Sequence, residues 1–190
     1  MDGWDLATVW FIHRAFLRSS MAKTDSFFIR ASIALDNAGT FTQSSIDLGA
    51  YVDALGKSVL RIHNVSASIR NSTGNFLPSA NANQTGQIIW QLTTQSQTAI
   101  VPANDRSLIS SGAIALVNNT GSASGYADGI FQDTDMLPQE WTNGYLVGVE
   151  QIYLSGDTSN TAASRVDIVM ECTVETLSQS AAMALALSQQ

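Results

Sequence analysis

From Ser26 onward the chain alternates apolar and polar positions with a period near two, the signature of half-buried strands. Phe27, Ile29, Ala31, Ile33 and Leu35 share one parity against Phe28, Arg30, Ser32, Ala34 and Asp36, and Asn37 to Gly39 supply a turn. Ile46, Leu48, Ala50 and Val52 repeat the pattern. In the extended stretch Lys57 to Arg70, Leu60 and Ile62 point one way while Val65, Ala67 and Ile69 take the other parity, which predicts a bulge or bend near His63 and Asn64. Asn71 to Gly86, rich in Asn, Ser, Thr and Gly, reads as a long surface loop. Ile88, Trp90 and Leu92 begin another strand, and Leu108 to Val117 is an apolar run whose Gly112 and flanking turns favour strand over helix. Tyr145 to Leu154 and Val166 to Val174 read as a pair of strands around a turn at Ser155 to Ser164. In the second of them Val166, Ile168, Met170, Cys172 and Val174 face inward, and Asp167, Glu171, Thr173 and Glu175 face out.

The ends depart from this period. Met1 to Ser20 places Trp4, Leu6, Val9, Trp10, Phe11, Ile12, Phe16 and Leu17 in a broad apolar surface, with Asp2 and Asp5 at its start and Arg14 and Arg18 near its end. That arrangement predicts an amphipathic helix. His13 and Arg14 interrupt it, leaving it too short to span a bilayer, and its acidic start is unlike a signal peptide. Met21 opens a second plausible start. Glu175 to Gln190 has a helical composition, with Leu177, Ala181, Ala182, Met183, Ala184, Leu185, Ala186 and Leu187 uninterrupted by Gly or Pro. The expected organisation is an arm at 1–20, a β domain at 21–176 and a helix at 177–190. Eight or nine strands with no helical crossovers between them predict a mainly β, antiparallel double sheet, with the strand number favouring a jelly roll.

Composition sharpens the picture. Charged residues make up only 13% of the 190 positions, against about a quarter in typical domains; Ser, Thr, Asn and Gln occupy a third of the chain instead. A polar but weakly charged surface is poorly defended against close packing with neighbours. The net charge is −7, and no basic run of the kind that neutralises several phosphates is present. Strong nucleic-acid binding by the body of the protein is therefore not expected. Cys172 stands alone, which excludes an intrachain disulfide and suggests a small buried hydrophobe.

Candidate chemistry is sparse. His13 and His63 have no metal-ligand spacing, and His63 falls inside a strand, where a hydrogen-bonded structural role is expected. No Gly-x-Ser-x-Gly elbow accompanies a triad, and Gly121 to Gly125 lacks the lysine of a phosphate loop. Asp128, Asp133, Asp135 and Glu140 form an acidic stretch without EF-hand spacing, so a solvated loop is the expectation. Asn-x-Ser/Thr triplets at Asn64, Asn71, Asn83 and Asn118 are expected by chance in such a composition. No catalytic residue, cofactor or metal site is expected.

The strand series resembles small single jelly-roll viral capsid proteins over Ser26 to Thr176. The resemblance rests on Phe41-Thr-Gln-Ser-Ser-Ile-Asp-Leu-Gly-Ala-Tyr51 leading into Ser58 to Val65, and on the closing segments Tyr145 to Tyr153 and Arg165 to Glu171. It implies a non-enzymatic shell subunit located in the virion, whose partners are copies of itself, with other virion proteins or an internal membrane as further partners. Trp4, Trp10, Phe11, Ile12, Phe16 and Leu17 are then the candidate contacts to a neighbouring subunit or to lipid. The chain departs from many capsid proteins in lacking an arginine-rich arm, which puts direct genome contact in doubt. The rival reading is a β-sandwich carbohydrate- or ligand-binding module using Trp90, Trp141 and Tyr145 as stacking platforms.

Overall fold

The computed structural model describes residues 25–53, 57–75, 77, 82–119, 129–133 (backbone only), 140–160 and 163–190. Among them lie nine strands: β1 (Phe27–Leu35), β2 (Thr42–Asp47), β3 (Ser58–Asn71), β4 (Gln84–Thr93), β5 (Leu108–Asn118), β6 (Gly129–Asp133), β7 (Glu140–Val147), β8 (Gln151–Thr158) and β9 (Ser164–Thr176). One helix, α1 (Gln179–Ser188), follows. The expected helix at 1–20 lies outside the described residues.

Every strand pairing is antiparallel. The strands form a four-stranded sheet in the order β1-β9-β3-β7 and a five-stranded sheet in the order β2-β8-β4-β5-β6. One hydrophobic core lies between them. Ile33, Leu35, Leu60, Ile62, Ile168, Met170 and Cys172 come from the first sheet, and Ile88, Trp90, Leu92, Leu116, Ile152 and Leu154 from the second. The period-two pattern explains which side chains go inside: along β9, Val166, Ile168, Met170 and Cys172 are fully buried.

The parity switch in β3 is a bulge. Ile62 pairs with Cys172 and Asn64 with Glu171, leaving His63 as the extra residue, so Leu60, Ile62 and Val65 all reach the same core. At the end of β2 the expected alternation fails at Ala50. Asp47 Oδ1 accepts the Gly49 amide at 2.8 Å, and the amides of Tyr51 and Val52 both donate to the Leu48 carbonyl. The chain therefore turns instead of extending, so Leu48 and Val52, four residues apart, enter the core while Ala50 is exposed.

The run Tyr145 to Leu154 is likewise not one strand. It breaks between Val147 and Gln151, and β8 continues through Ser155 to Thr158, where the sequence suggested a turn. Nor do β8 and β9 pair, since each belongs to a different sheet. Gly156 explains the misreading. It serves as a close-approach residue within the strand, where a Cβ would meet the Ile89 carbonyl oxygen at 2.8 Å and Leu35 at 3.2 Å.

Helix α1 begins with Ser178, whose hydroxyl accepts the Ala181 amide at 3.3 Å. Ala182 and Ala186, one turn apart, are its buried contacts. Gln189, just beyond the helix, is buried and binds two segments. Its side chain donates to the Leu146 carbonyl at 2.7 Å and accepts the Gly148 amide at 2.8 Å, while its carbonyl accepts the Thr94 hydroxyl at 3.0 Å. The helix is thus fastened to its own sandwich and leaves Met183 and Leu187 exposed.

Candidate functional site

The two sheets present unlike outer faces. On the five-stranded sheet the connection from Thr94 to Ser107 folds back over the strands. Gln91 fastens it: its side-chain amide donates to the Ala99 carbonyl at 3.1 Å, and its oxygen accepts the Val101 amide at 2.9 Å. Gln43 adds a similar clasp, donating to the Ser96 hydroxyl and accepting the Gln97 amide, both at 2.8 Å. At the far end, hydrogen bonds from the Ser107 hydroxyl and amide hold the Asp105 carboxyl below the usual carboxylate range. As a result Gln91, Ser111 and Ser155 are buried although their parity points them away from the core.

The outer face of the four-stranded sheet is lined by polar cross-strand contacts between β3 and β9, buried towards Glu175 and, among the described residues, exposed towards Arg30, Arg70 and Arg165. Arg61 forms a two-pronged pair with Glu175, at 2.7 Å from Nε and 2.6 Å from Nη2, and also donates to the Asn143 carbonyl on β7. His63 Nε2 lies 3.0 Å from the Thr173 hydroxyl, and Asn64 donates to Glu171 at 2.7 Å. His63 therefore has the structural hydrogen bond that its strand setting suggested. Further along, Arg30, Arg70 and Arg165 rise from β1, β3 and β9 around small residues, and Arg165 pairs with Asp167 at 2.6 Å.

Cys172 occupies the core as expected. Burial first, and the neighbouring Glu171 charge second, push its thiol up to about 12, so it stays protonated and inert as a nucleophile near neutral pH. Trp90 is a core residue, not a platform. Trp141 and Tyr145 contact each other, with ring centroids 5.9 Å apart, and pack against the core. Burial raises the Tyr145 phenol, opposed by a hydrogen bond with Gln189.

Among the described residues no three His, Cys, Asp or Glu side chains converge to hold a metal ion. Asp128 and Asp135 lie outside the described residues, Asp133 is described by its backbone alone, and Glu140 is exposed at the start of β7. Of the four Asn-x-Ser/Thr asparagines, Asn118 is buried and Asn64 is engaged with Glu171. Trp4, Trp10, Phe11, Ile12, Phe16 and Leu17, the expected subunit or membrane contacts, lie outside the described residues, as does His13. Among the described residues no helix is long and apolar enough to cross a membrane. No protein-family model and no curated protein matches the chain.

Sequence reasoning missed the clasps of Gln43, Gln91 and Gln189 and the burial of Glu175. The signal available for Gln91 was an uncharged polar residue within the apolar run Ile88 to Leu92. Glu175 carried no such signal, because its partner lies 114 positions away.

Proposed function

We propose that this chain is a jelly-roll shell subunit of a virion, assembling with copies of itself into a closed capsid. The observation that carries the reading is a nested ladder: β1 pairs with β9, β2 with β8, β3 with β7 and β4 with β5. Such nesting is what a single long hairpin rolled over on itself would give, and so supports the jelly-roll reading; β6 is added beside β5. Further pairing of β9 with β3 and of β8 with β4 closes the two sheets.

The surface chemistry supports the same reading. Charge is scarce, the outer face of one sheet is exposed, among the described residues, towards Arg30, Arg70 and Arg165, and the exposed Met183 and Leu187 offer apolar contact at the end of the chain. The apolar Met1 to Ser20 segment is the proposed arm, placed on a neighbouring subunit or on internal lipid, with Trp10, Phe11 and Phe16 as its anchors. Other virion proteins are further candidate partners.

Sedimentation velocity over a concentration series tests this reading. Assemblies far larger than the 20.3 kDa chain are expected, and deletion of residues 1–20 should shift the population towards folded small species. A full chain that stays monomeric at every concentration would overturn it.

A further inference from the structure

On the exposed part of the outer face of the four-stranded sheet, the β-ladder brings three arginines together. Arg165 on β9 lies directly across from Arg70 on β3, and Arg30 on β1 lies across from Val169 on β9. Arg30, Arg165 and Asp167 line a groove of about 300 Å³ together with Ala31, Ser32, Ile168 and Val169. Across β9, Ser66 and Ser68 continue the low surface towards Arg70. Small side chains here allow another polypeptide to approach closely, and the long arginines stand above them as a rim.

The arginines on this face are only partly balanced among the described residues. Asp167 engages Arg165. Arg70 donates to the Ser68 hydroxyl and the Gly74 carbonyl, and Arg30 stands over the Phe28 ring at 5.8 Å. Among the described residues neither Arg30 nor Arg70 has a carboxylate partner. Like charges directly opposite in a ladder are unfavourable; Asp167 answers Arg165 in the Arg70–Arg165 juxtaposition, which leaves Arg70 and Arg30 as the cations able to take a carboxylate from outside. The whole chain, by contrast, has 16 acidic against nine basic residues and a net charge of −7. Two of those nine cations line this groove beside a single carboxylate, Asp167, and a third, Arg70, stands across β9 from it, so the surface it best complements is the acidic remainder of another copy.

We propose that the groove lined by Arg30 and Arg165, with Arg70 beside it across β9, is a self-association surface that receives carboxylate side chains from a second copy of this chain. The proposal rests on the shell-subunit reading and gives it a specific contact. Guanidinium groups suit this role because each can grip a carboxylate with two parallel hydrogen bonds. Contacts of this kind set register and encounter rate and are screened by salt, with a Debye length of about 8–10 Å at 0.10–0.15 M.

The test compares the full chain with the triple variant Arg30→Gln, Arg70→Gln, Arg165→Gln by sedimentation velocity at 50 and 500 mM NaCl, after circular dichroism and thermal unfolding have checked that the variant folds. The expected result is self-association of the wild type that weakens with salt, and about a tenfold weaker, salt-insensitive association of the variant, from three exposed charge pairs of ordinary strength. The companion triple variant to lysine keeps the charge but loses the two-pronged grip, and should associate with an affinity between those of the wild type and the glutamine variant while keeping the salt dependence. If the wild type assembles and the glutamine variant assembles equally well with the same salt dependence, the groove proposal falls while the shell reading stands. If the wild type never associates, both fall. A single-stranded oligonucleotide supplies the remaining arm: arginine-dependent oligonucleotide binding alongside unchanged self-association would assign the groove to nucleic acid and overturn the proposal.

Discussion

Glu175 Oε1 and Oε2 receive Arg61 Nε and Nη2 at 2.7 and 2.6 Å, and the Glu175 side chain is wholly shielded from solvent. The pair ties β9 to β3, and the Arg61 hydrogen bond to the Asn143 carbonyl extends the tie to β7. Gly144, at φ +69°, makes room for it, since a Cβ there would meet Arg61 Cγ at 2.5 Å.

Removing one partner strands the other charge. Glu175→Gln is expected to cost about 3 kcal/mol, the lower end for a broken buried pair because Arg61 is partly exposed. Replacing both, as Arg61→Met with Glu175→Leu, should cost less than the single change. Urea denaturation of Glu175→Gln, Arg61→Met, Glu175→Leu and the double variant checks this. Additive losses would mean the residues are not coupled.

Trp90 fills the centre of the sandwich against Gly112, its partner across the β4–β5 ladder. A Cβ at position 112 would lie 2.7 Å from Trp90 Nε1 and 3.1 Å from Cε2. The buried indole has nowhere to retreat, so Gly112→Ala should destabilise by about 1–3 kcal/mol through overpacking. Chemical denaturation reads the loss, and an unchanged midpoint would contradict this packing.

The raised Cys172 thiol has a defined sign. Below the ordinary thiol value of 9.0 the folded and unfolded chains both hold the proton. Between there and about 12 the unfolded chain releases it and the folded chain does not, so stability falls as pH rises through that window. The wild type should therefore lose stability more steeply than Cys172→Ala between pH 9 and 11, and its thiol should resist maleimide at pH 8 until the chain is unfolded. Rapid labelling of the native protein would show that the core is open.

How much of this was readable in advance follows from the range of each interaction. The inward faces of β1 and β9 and the bulge at His63 are local consequences of alternation, and they stood in the sequence. So did the burial of Cys172. Three features did not. Gly156 looks like a turn residue because nothing nearby says that Ile89 and Leu35 will crowd it within a strand. The burial of Gln91, and of Ser155, which reads as a turn residue, went unseen because it depends on the Thr94 to Ser107 connection folding back over the sheet. Glu175 reads as an outward residue because Arg61 becomes its neighbour only once β3 and β9 pair. Non-local cover of this kind leaves no periodic trace.

Gln189 concentrates the attachment of the last helix in one side chain that bridges Leu146 and Gly148. Gln189→Ala leaves the Gly148 amide without its acceptor and should cost about 1–3 kcal/mol. Hydrogen exchange at Gly148 and along α1 should quicken in the variant. Unchanged exchange would mean the helix is held by its alanine contacts alone.

The central claim is that this sandwich builds a shell from copies of itself. Electron microscopy of the purified full-length protein examines it most directly. Closed particles or rings of uniform size are the predicted result; a field of single 20.3 kDa molecules at high concentration would contradict it.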